Sequence, residues 1–478
     1  MKNTTTHADA SAPQSVTGFI KLAGGPRAIQ IGFTGQRVSG HAGLATFAGF
    51  LRWHRLADQL AGWLPHRRTS PNALAPAQLA LGFVVGICAG AKKLAHVSFL
   101  RHDPLLPSLL ELSRFAHQST YTRFFAGFTS AGQNLAAFRA AWRWGLARLA
   151  SRREGYTLDL DSTRLLHEDH HHAEGVRTGH TPQGFKRCLH PLLAVLAEAK
   201  LVAGFWLRPG HTRCDNNVIA FTLDLLAYLP RHLRLRRVRA DSGFCTPAWL
   251  EVLEQKRLAY IVVARLHRPI VRLLSAQVRW VASEVRGTEV AEMLHQDYGW
   301  STARRLVLLR HRIQEKERPG GKRLLECPGY SFQALVTNLP ASVPPLEVWR
   351  DYNGRSGSEN VIKELDAHFG LPQLCLKKFW ATEAALSLAV LAYNLSVLFQ
   401  RHLGWQERVS AGTLRFRLWN CGGIISRTGG VTTIRLSVPA PHRAWWRELF
   451  TKLVCPYPNC NAVDPWPEPT RFFHPLNP

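Results

Sequence analysis

Three features of this 478-residue sequence predict an α/β protein with its core in two parts. Apolar residues recur at helical spacing from about 41 to 150. Short alternating runs separated by helical ones begin at Tyr156, and a second block of short alternating runs fills about 267–340 before helical periodicity returns. The expected organisation is a helical domain, a divided α/β core and a β-rich insertion between its halves. Hydrophobic residues at 46% and charged residues at 19% suit a folded chain with sizeable cores.

Charge narrows the partner. Sixty Lys and Arg stand against 33 Asp and Glu, a formal net charge of +27, and the basic residues are spread along the whole length. A polyanion is the expected partner, and nucleic acid is the usual one; a ribosomal or membrane-surface role is the alternative. The spread suits a chain that lies along double-stranded DNA better than one with a basic tail.

Residues 1–40 lack periodicity and read as a flexible arm. Over 41–150, "LATFAGFLRWHRLADQLAGWL" and "QNLAAFRAAWRWGLARLAS" carry apolar residues on one helix face and Arg on the other. Between them "LLPSLLELSRFAHQSTYTRFFAGF" reads as two short helices, the second capped by Ser119 or Thr120. Its start, with Arg123, could enter a DNA groove as in a helix-turn-helix unit; an ordinary helical hairpin is the alternative. Over 151–266 the order is β-ββ-α-β-α-β: "YTLDLDST", a hairpin over 190–210, "NNVIAFTLDLLAYL", "LRLRRVRAD", "PAWLEVLEQKR" and "AYIVVARL". The insertion, 267–340, contains "RRLVLLRHRI" and "SFQALVTNL"; 341–405 is helical again, and 406–478 is aromatic- and Pro-rich with no assigned element. The apolar run "LALGFVVGICAGA" is too short to span a bilayer and reads as a buried helix, so no membrane segment is expected. Nine scattered cysteines and a polar N-terminus lead to the expectation of a reducing, cytoplasmic setting.

Acids are scarce, so their placement is informative. Asp159 and Asp161 share one face of the first strand, because side chains alternate with period two. Asp241 ends a later strand in "RVRADSGF". Carboxylates at neighbouring strand ends can converge on a hard cation such as Mg²⁺. Two such ions about 3.5–4 Å apart can activate water and stabilise the leaving oxygen in phosphodiester cleavage. Each aspartate could instead cap a helix or face solvent. Glu359 has a structural alternative of its own, since "SGSE" fits a capping box with Ser356 as N-cap. Against that, Tyr352, Arg355, Glu359 and Lys363 line one face of a continuous helix, a grouping suited to phosphate beside a metal.

These residues resemble a family. The element order with Asp161, Asp241 and Glu359, together with "YNGRSGSENVIKEL" and its Y-x₂-R-x₃-E spacing, is similar to the DDE transposases of bacterial insertion sequences that carry a β-rich insertion. "LDLDST", "RADSGF" and "ENVIKEL" look like the thirteen-eighty group in particular, over roughly residues 150–400. The resemblance implies an RNase H-like core in which the three acids bind two divalent ions, Mg²⁺ with Mn²⁺ as a substitute, Asp161 bridging and Asp159 its neighbour. It implies that Tyr352, Arg355 and Lys363 contact transposon-end phosphates. The related pattern has a further Lys seven residues after the Glu; here that residue is Asp366. The implied reaction is nicking at terminal inverted repeats, followed by attack of the freed 3′-hydroxyl on the opposite strand or on target DNA. Tyr298 or Trp300 would stack a flipped base, with a place in the core as the alternative for either; a homodimer would pair the two ends, and the setting would be the bacterial cytoplasm at the nucleoid. Alternatives are a repressor without catalysis and another RNase H-like nuclease.

Three further motifs read more plainly. "HEDHHH" at 167–172 reads as a loop near DNA rather than a metal site, because consecutive histidines rarely converge on one ion. "CPYPNC" at 455–460 could be half of a zinc knuckle, without a matching second half. The arginines of "RHLRLRRVR" at 231–239 read as exposed on an edge or facing a groove.

Overall fold

A helix that is apolar on every side must be buried on every side, and this governs the N-terminal half. The computed structural model describes residues 18–21, 28–68, 70–168, 172–181, 183–276, 279–297, 299–313, 321–324 and 327–453. Tyr298, "CPYPNC" and residues 169–171 of the histidine run lie outside them. The run expected as a buried helix is α1 (Pro76–Ala89), in which every residue from Leu79 to Cys88 is buried. Two amphipathic helices follow, α2 (Gln118–Ala126) and α3 (Ala131–Leu146). His117 caps α2 by accepting from the Ser119 amide, in place of the expected Ser119 or Thr120. These helices share one hydrophobic core with the sheet described next.

Ten strands form one mixed sheet. Its centre begins with β1 (Tyr156–Ser162), β2 (Leu192–Leu196) and β3 (Leu201–Trp206), paired antiparallel in sequence. On the other side of β1 lie β4 (Leu235–Ala240) and β5 (Ala259–Val263), both parallel to it. Parallel neighbours need a crossover, which α4 (Val218–Tyr228) and α5 (Pro247–Gln255) supply. The resulting order of these five strands is β3-β2-β1-β4-β5. Local periodicity did not show the small sheet of Leu165–Leu166, Arg177–Thr181 and Gly184–Leu189 between β1 and β2.

The insertion continues the same surface. Its strands are β6 (Val281–Ala282), β7 (Thr288–His295), β8 (Arg304–Arg312), β9 (Lys322–Leu324) and β10 (Cys327–Thr337). β10 pairs antiparallel with β5, β8 with β10, β7 with β8 and β6 with β7, while β9 pairs with β10. In β8, Leu306, Val307, Leu308 and Leu309 are all buried, so both faces of the sheet are covered here. On one face Val307, Leu309, Ile261 and Leu335 pack with Val348 of α6 (Pro345–Asn353). The insertion therefore makes the seat for the helix that carries Tyr352.

After α6 the chain forms α7 (Ser356–His368) and α8 (Phe379–His402). α8 is long and apolar enough to cross a membrane, yet its most apolar window is 100% buried within the protein, where α1, α3 and β3 pack against it. Arg37–Ser39 pairs with Gly423–Thr428, so the end of the expected arm meets the C-terminal region in one small sheet. Pairing across almost 400 residues leaves no trace in a local pattern.

Candidate active site

β1 and β4 run side by side in the same direction, so Asp161 near the end of one and Asp241 just past the end of the other emerge at the same edge. In parallel arrangements ligands bind beyond the carboxyl ends of the strands. Asp161 is 8% exposed, and its Oδ1 accepts from the Ser162 amide at 2.8 Å. Its Oδ2 lies 2.8 Å from Arg355 Nη2. Burial pushes the Asp161 carboxyl up to about 6; Arg355 and the Ser162 amide oppose this, while Asp241 and Glu359 push it further up. The three acids thus share one electrostatic environment. Asp241 caps the short turn Ser242–Phe244, accepting from the Gly243 amide at 2.9 Å.

Glu359 occupies the first turn of α7 and stays half-exposed, its Oε1 3.4 Å from Arg355 Nη1. The capping box does not form: Arg355 is the N-cap residue and no side chain caps α7. Nor is the segment one helix. α6 and α7 are separated at Gly354 and Arg355, where Arg355 N bonds Tyr352 O at 2.9 Å and Ser358 N bonds Arg355 O at 2.8 Å, the tighter i to i+3 pattern. A Cβ on Gly354 would lie 2.8 Å from Arg239 Nη1, so a larger residue at the break would have to push that guanidinium off its Asp351 contacts.

Tyr352, at the end of α6, is half-buried. Burial raises its phenol to about 12, as do Asp241, Asp161 and Glu359, with Arg355 opposing. Arg355, only 8% exposed in its side chain, is the positive charge amid the acids; burial opposes its charge, but Asp161, Tyr352 and Asp241 raise its pKa. Its Nε has no hydrogen-bond partner among the described residues. A cleft of about 520 Å³ beside these groups is lined by Asp241, Tyr352, Arg265, Lys322, Phe332 and Gln333.

Three carboxylates are the hard oxygen donors a divalent ion such as Mg²⁺ prefers, so the donor set fits. Among the described residues, however, no three His, Cys, Asp or Glu side chains are gathered closely enough to hold one ion. Arg355 takes Asp161 Oδ2 instead, and an ion bound there would have to displace it.

Other expected residues fall elsewhere. Lys363 is exposed on α7, one turn beyond Glu359. Arg123 is exposed on α2 and donates to Thr120 Oγ1 at 3.3 Å. Trp300 is 8% exposed, with the Arg304 guanidinium 5.2 Å from its ring centroid and His295 packed edge-on against it. Asp366 is partly buried; burial raises its carboxyl to about 6, and its Oδ1 has no partner among the described residues.

Within the 231–239 run Arg231 and Arg234 are exposed, but Arg239 corrects the expectation of an edge or a groove. β4 is a central strand, and Arg239, 4% exposed, forms a bidentate pair with Asp159 at 2.6 and 2.9 Å. Arg237 pairs with Asp351. Arg239, Asp351 and Ser358 were missed as site-building residues. The available signal was the 237/239 alternation opposite 157/159, but the partners become visible only once β1 and β4 are known to be neighbours.

With the geometry in place, known proteins supply a frame. No curated protein matches the chain. Among solved structures, the piggyBac transposase synaptic complex with hairpin DNA superposes with a TM-score of 0.42 at 12% identity, covering 80% of either chain. The family profile "Transposase DDE domain group 1" matches residues 22–455, which is most of the chain. The protein belongs to the DDE transposases, domain group 1.

Proposed function

We propose that the protein is the transposase of a bacterial insertion sequence, of the thirteen-eighty group. It binds the element's terminal inverted repeats and carries out metal-dependent strand cleavage and strand transfer in cut-and-paste transposition. One observation carries this reading: Asp161, Asp241 and Glu359, from β1, the end of β4 and the start of α7, lie close enough that Asp241 and Glu359 act directly on Asp161, beside one buried arginine that pairs with Asp161 and Glu359, in a chain of net charge +27.

In this reading the three carboxylates hold two divalent ions, Mg²⁺ or in its place Mn²⁺, which when bound activate water and stabilise the leaving 3′-oxygen. Asp161, the most buried of the three and the one on which the other two act, would be the central ligand when the ions are bound. Arg355 leaves Asp161 for a DNA phosphate, to which its planar guanidinium offers two donors. Tyr352 and exposed Lys363 hold neighbouring phosphates. Arg265 and Lys322 extend positive charge along the cleft, giving a path for the strand. A homodimer pairs the two ends, and the protein works in the cytoplasm at the nucleoid.

The test is nicking of inverted-repeat DNA with Mg²⁺ or Mn²⁺ by the wild type and by Asp241→Asn. Cleavage that survives the substitution rejects the active-site assignment. Specific binding without any cleavage in the wild type favours a repressor.

A further inference from the structure

Asp159 has 0% exposure, and its partner across the β1–β4 ladder is Arg239. Arg239 Nε donates to Oδ1 at 2.6 Å and Nη2 to Oδ2 at 2.9 Å, the two-pronged geometry of a strong charge-assisted pair. Its third nitrogen leaves the sheet: Nη1 donates to the Asp351 carbonyl and, at 3.2 Å, to Asp351 Oδ1, in the last turn of α6. From the other side Ser358, also 0% exposed, donates its Oγ to Asp159 Oδ2 at 2.6 Å. Ser358 immediately precedes Glu359.

One carboxylate therefore fastens both sides of the break between α6 and α7. Through Arg239 it holds the side with Tyr352, and through Ser358 the side with Glu359. Two residues further along the same strand stands Asp161. A buried ion pair adds little net stability over apolar packing, because desolvation offsets the attraction. What it does supply is direction: three oriented donors converge on two oxygens and leave α7 one place to begin.

We propose that Asp159, Arg239 and Ser358 are positioning residues that set the distance between Glu359 and Asp161, and with it the affinity of the acids for divalent ions. This rests on the proposed function but concerns a set of contacts that touches neither DNA nor metal. Ser358→Ala is the informative change, because it frees the first turn of α7 and leaves the Asp159–Arg239 pair intact.

The experiment takes full-length wild type and Ser358→Ala through three measurements: Mn²⁺ titration calorimetry without DNA, nicking rate against Mn²⁺ concentration, and thermal unfolding. The expected result is Mn²⁺ binding several-fold weaker, and nicking at least tenfold slower at low Mn²⁺ with recovery at high Mn²⁺, while Tm moves by only a few degrees. Ser358→Thr, which keeps the hydroxyl, is expected to restore Mn²⁺ affinity. Equal Mn²⁺ affinity in wild type and Ser358→Ala overturns the proposal, as does a loss of Tm and rate with unchanged Mn²⁺ dependence. Calorimetry keeps this separate from the functional reading. A wild type that binds Mn²⁺ without nicking inverted-repeat DNA rejects only the latter; one that does neither rejects both.

Discussion

Asp159 and Asp161 lie two residues apart on one strand, face the same way and are both nearly buried, yet their surroundings are opposite. Around Asp159 both oxygens have donors, two from Arg239 and one from Ser358. Around Asp161 there are one backbone amide, one shared arginine and two further acids, and its carboxyl is pushed up to about 6. Burial alone does not separate structural from chemical acids. The count of donors and cations does: a carboxylate with its own arginine and a further donor is committed, while a group of acids sharing one arginine is short of positive charge and suited to acquiring more.

The contrast can be broken most sharply by removing each charge in turn. Asp161→Asn should lower nicking on the order of 10³-fold or more, because a charge aimed at the reacting centre is lost, while urea unfolding changes little. Asp159→Ala should do the reverse in stability. It removes the bidentate partner of the buried Arg239, leaving that guanidinium only its Asp351 contacts, and should cost about 3 kcal/mol in urea unfolding, the lower end for breaking one side of a buried pair. Equal losses of stability in the two variants would remove the distinction.

A third buried acid sharpens the point. Glu383 accepts from Asn134 Nδ2 at 2.7 Å and the Leu207 amide at 2.9 Å but pairs with no cation among the described residues, and burial raises it from 4.5 to about 7 despite both donors. A folded-state pKa above the unfolded one favours the protonated fold. Its contribution is full below pH 4.5 and lost as pH rises through about 7. The wild type should therefore lose up to about 3 kcal/mol more than Glu383→Gln between pH 4.5 and pH 8, measured by urea unfolding at each pH. Parallel curves would show that donors suffice without a cation.

The smallest expected effect lies on the surface. Lys363→Ala should weaken inverted-repeat binding modestly and reduce the slope of log affinity against log salt by about 1, as loss of one phosphate contact does. An unchanged slope would place Lys363 off the DNA path.

Much of this was legible in the sequence, and the reasons are physical. Period-two alternation exposes a half-buried strand, and the order β-ββ-α-β-α-β with acids at 161, 241 and 359 can be read locally. Asp161 could be preferred over Asp159 only through the family pattern. What resolves the pair is the parallel register of β1 with β4, which brings Arg239 opposite Asp159 from 80 positions away. The same limit hid the break between α6 and α7. Helical spacing suggested one continuous face, but Gly354 yields to an arginine from another strand. Arg239 was missed in a related way, because its residue type suits a DNA surface while its neighbours bury it.

The joining of β10 to β5 bears on how the chain is made. Residues 259–263 remain an unpaired sheet edge until the ribosome has released the chain beyond Thr337, and Ile261 and Leu335 lack their cover until Val348 follows. An incomplete chain would present a row of free backbone donors and acceptors beside apolar side chains, the kind of edge that recruits other strands. Synthesis halted within the insertion should thus yield aggregates rather than a smaller soluble core, and the insertion cannot be excised as a cassette.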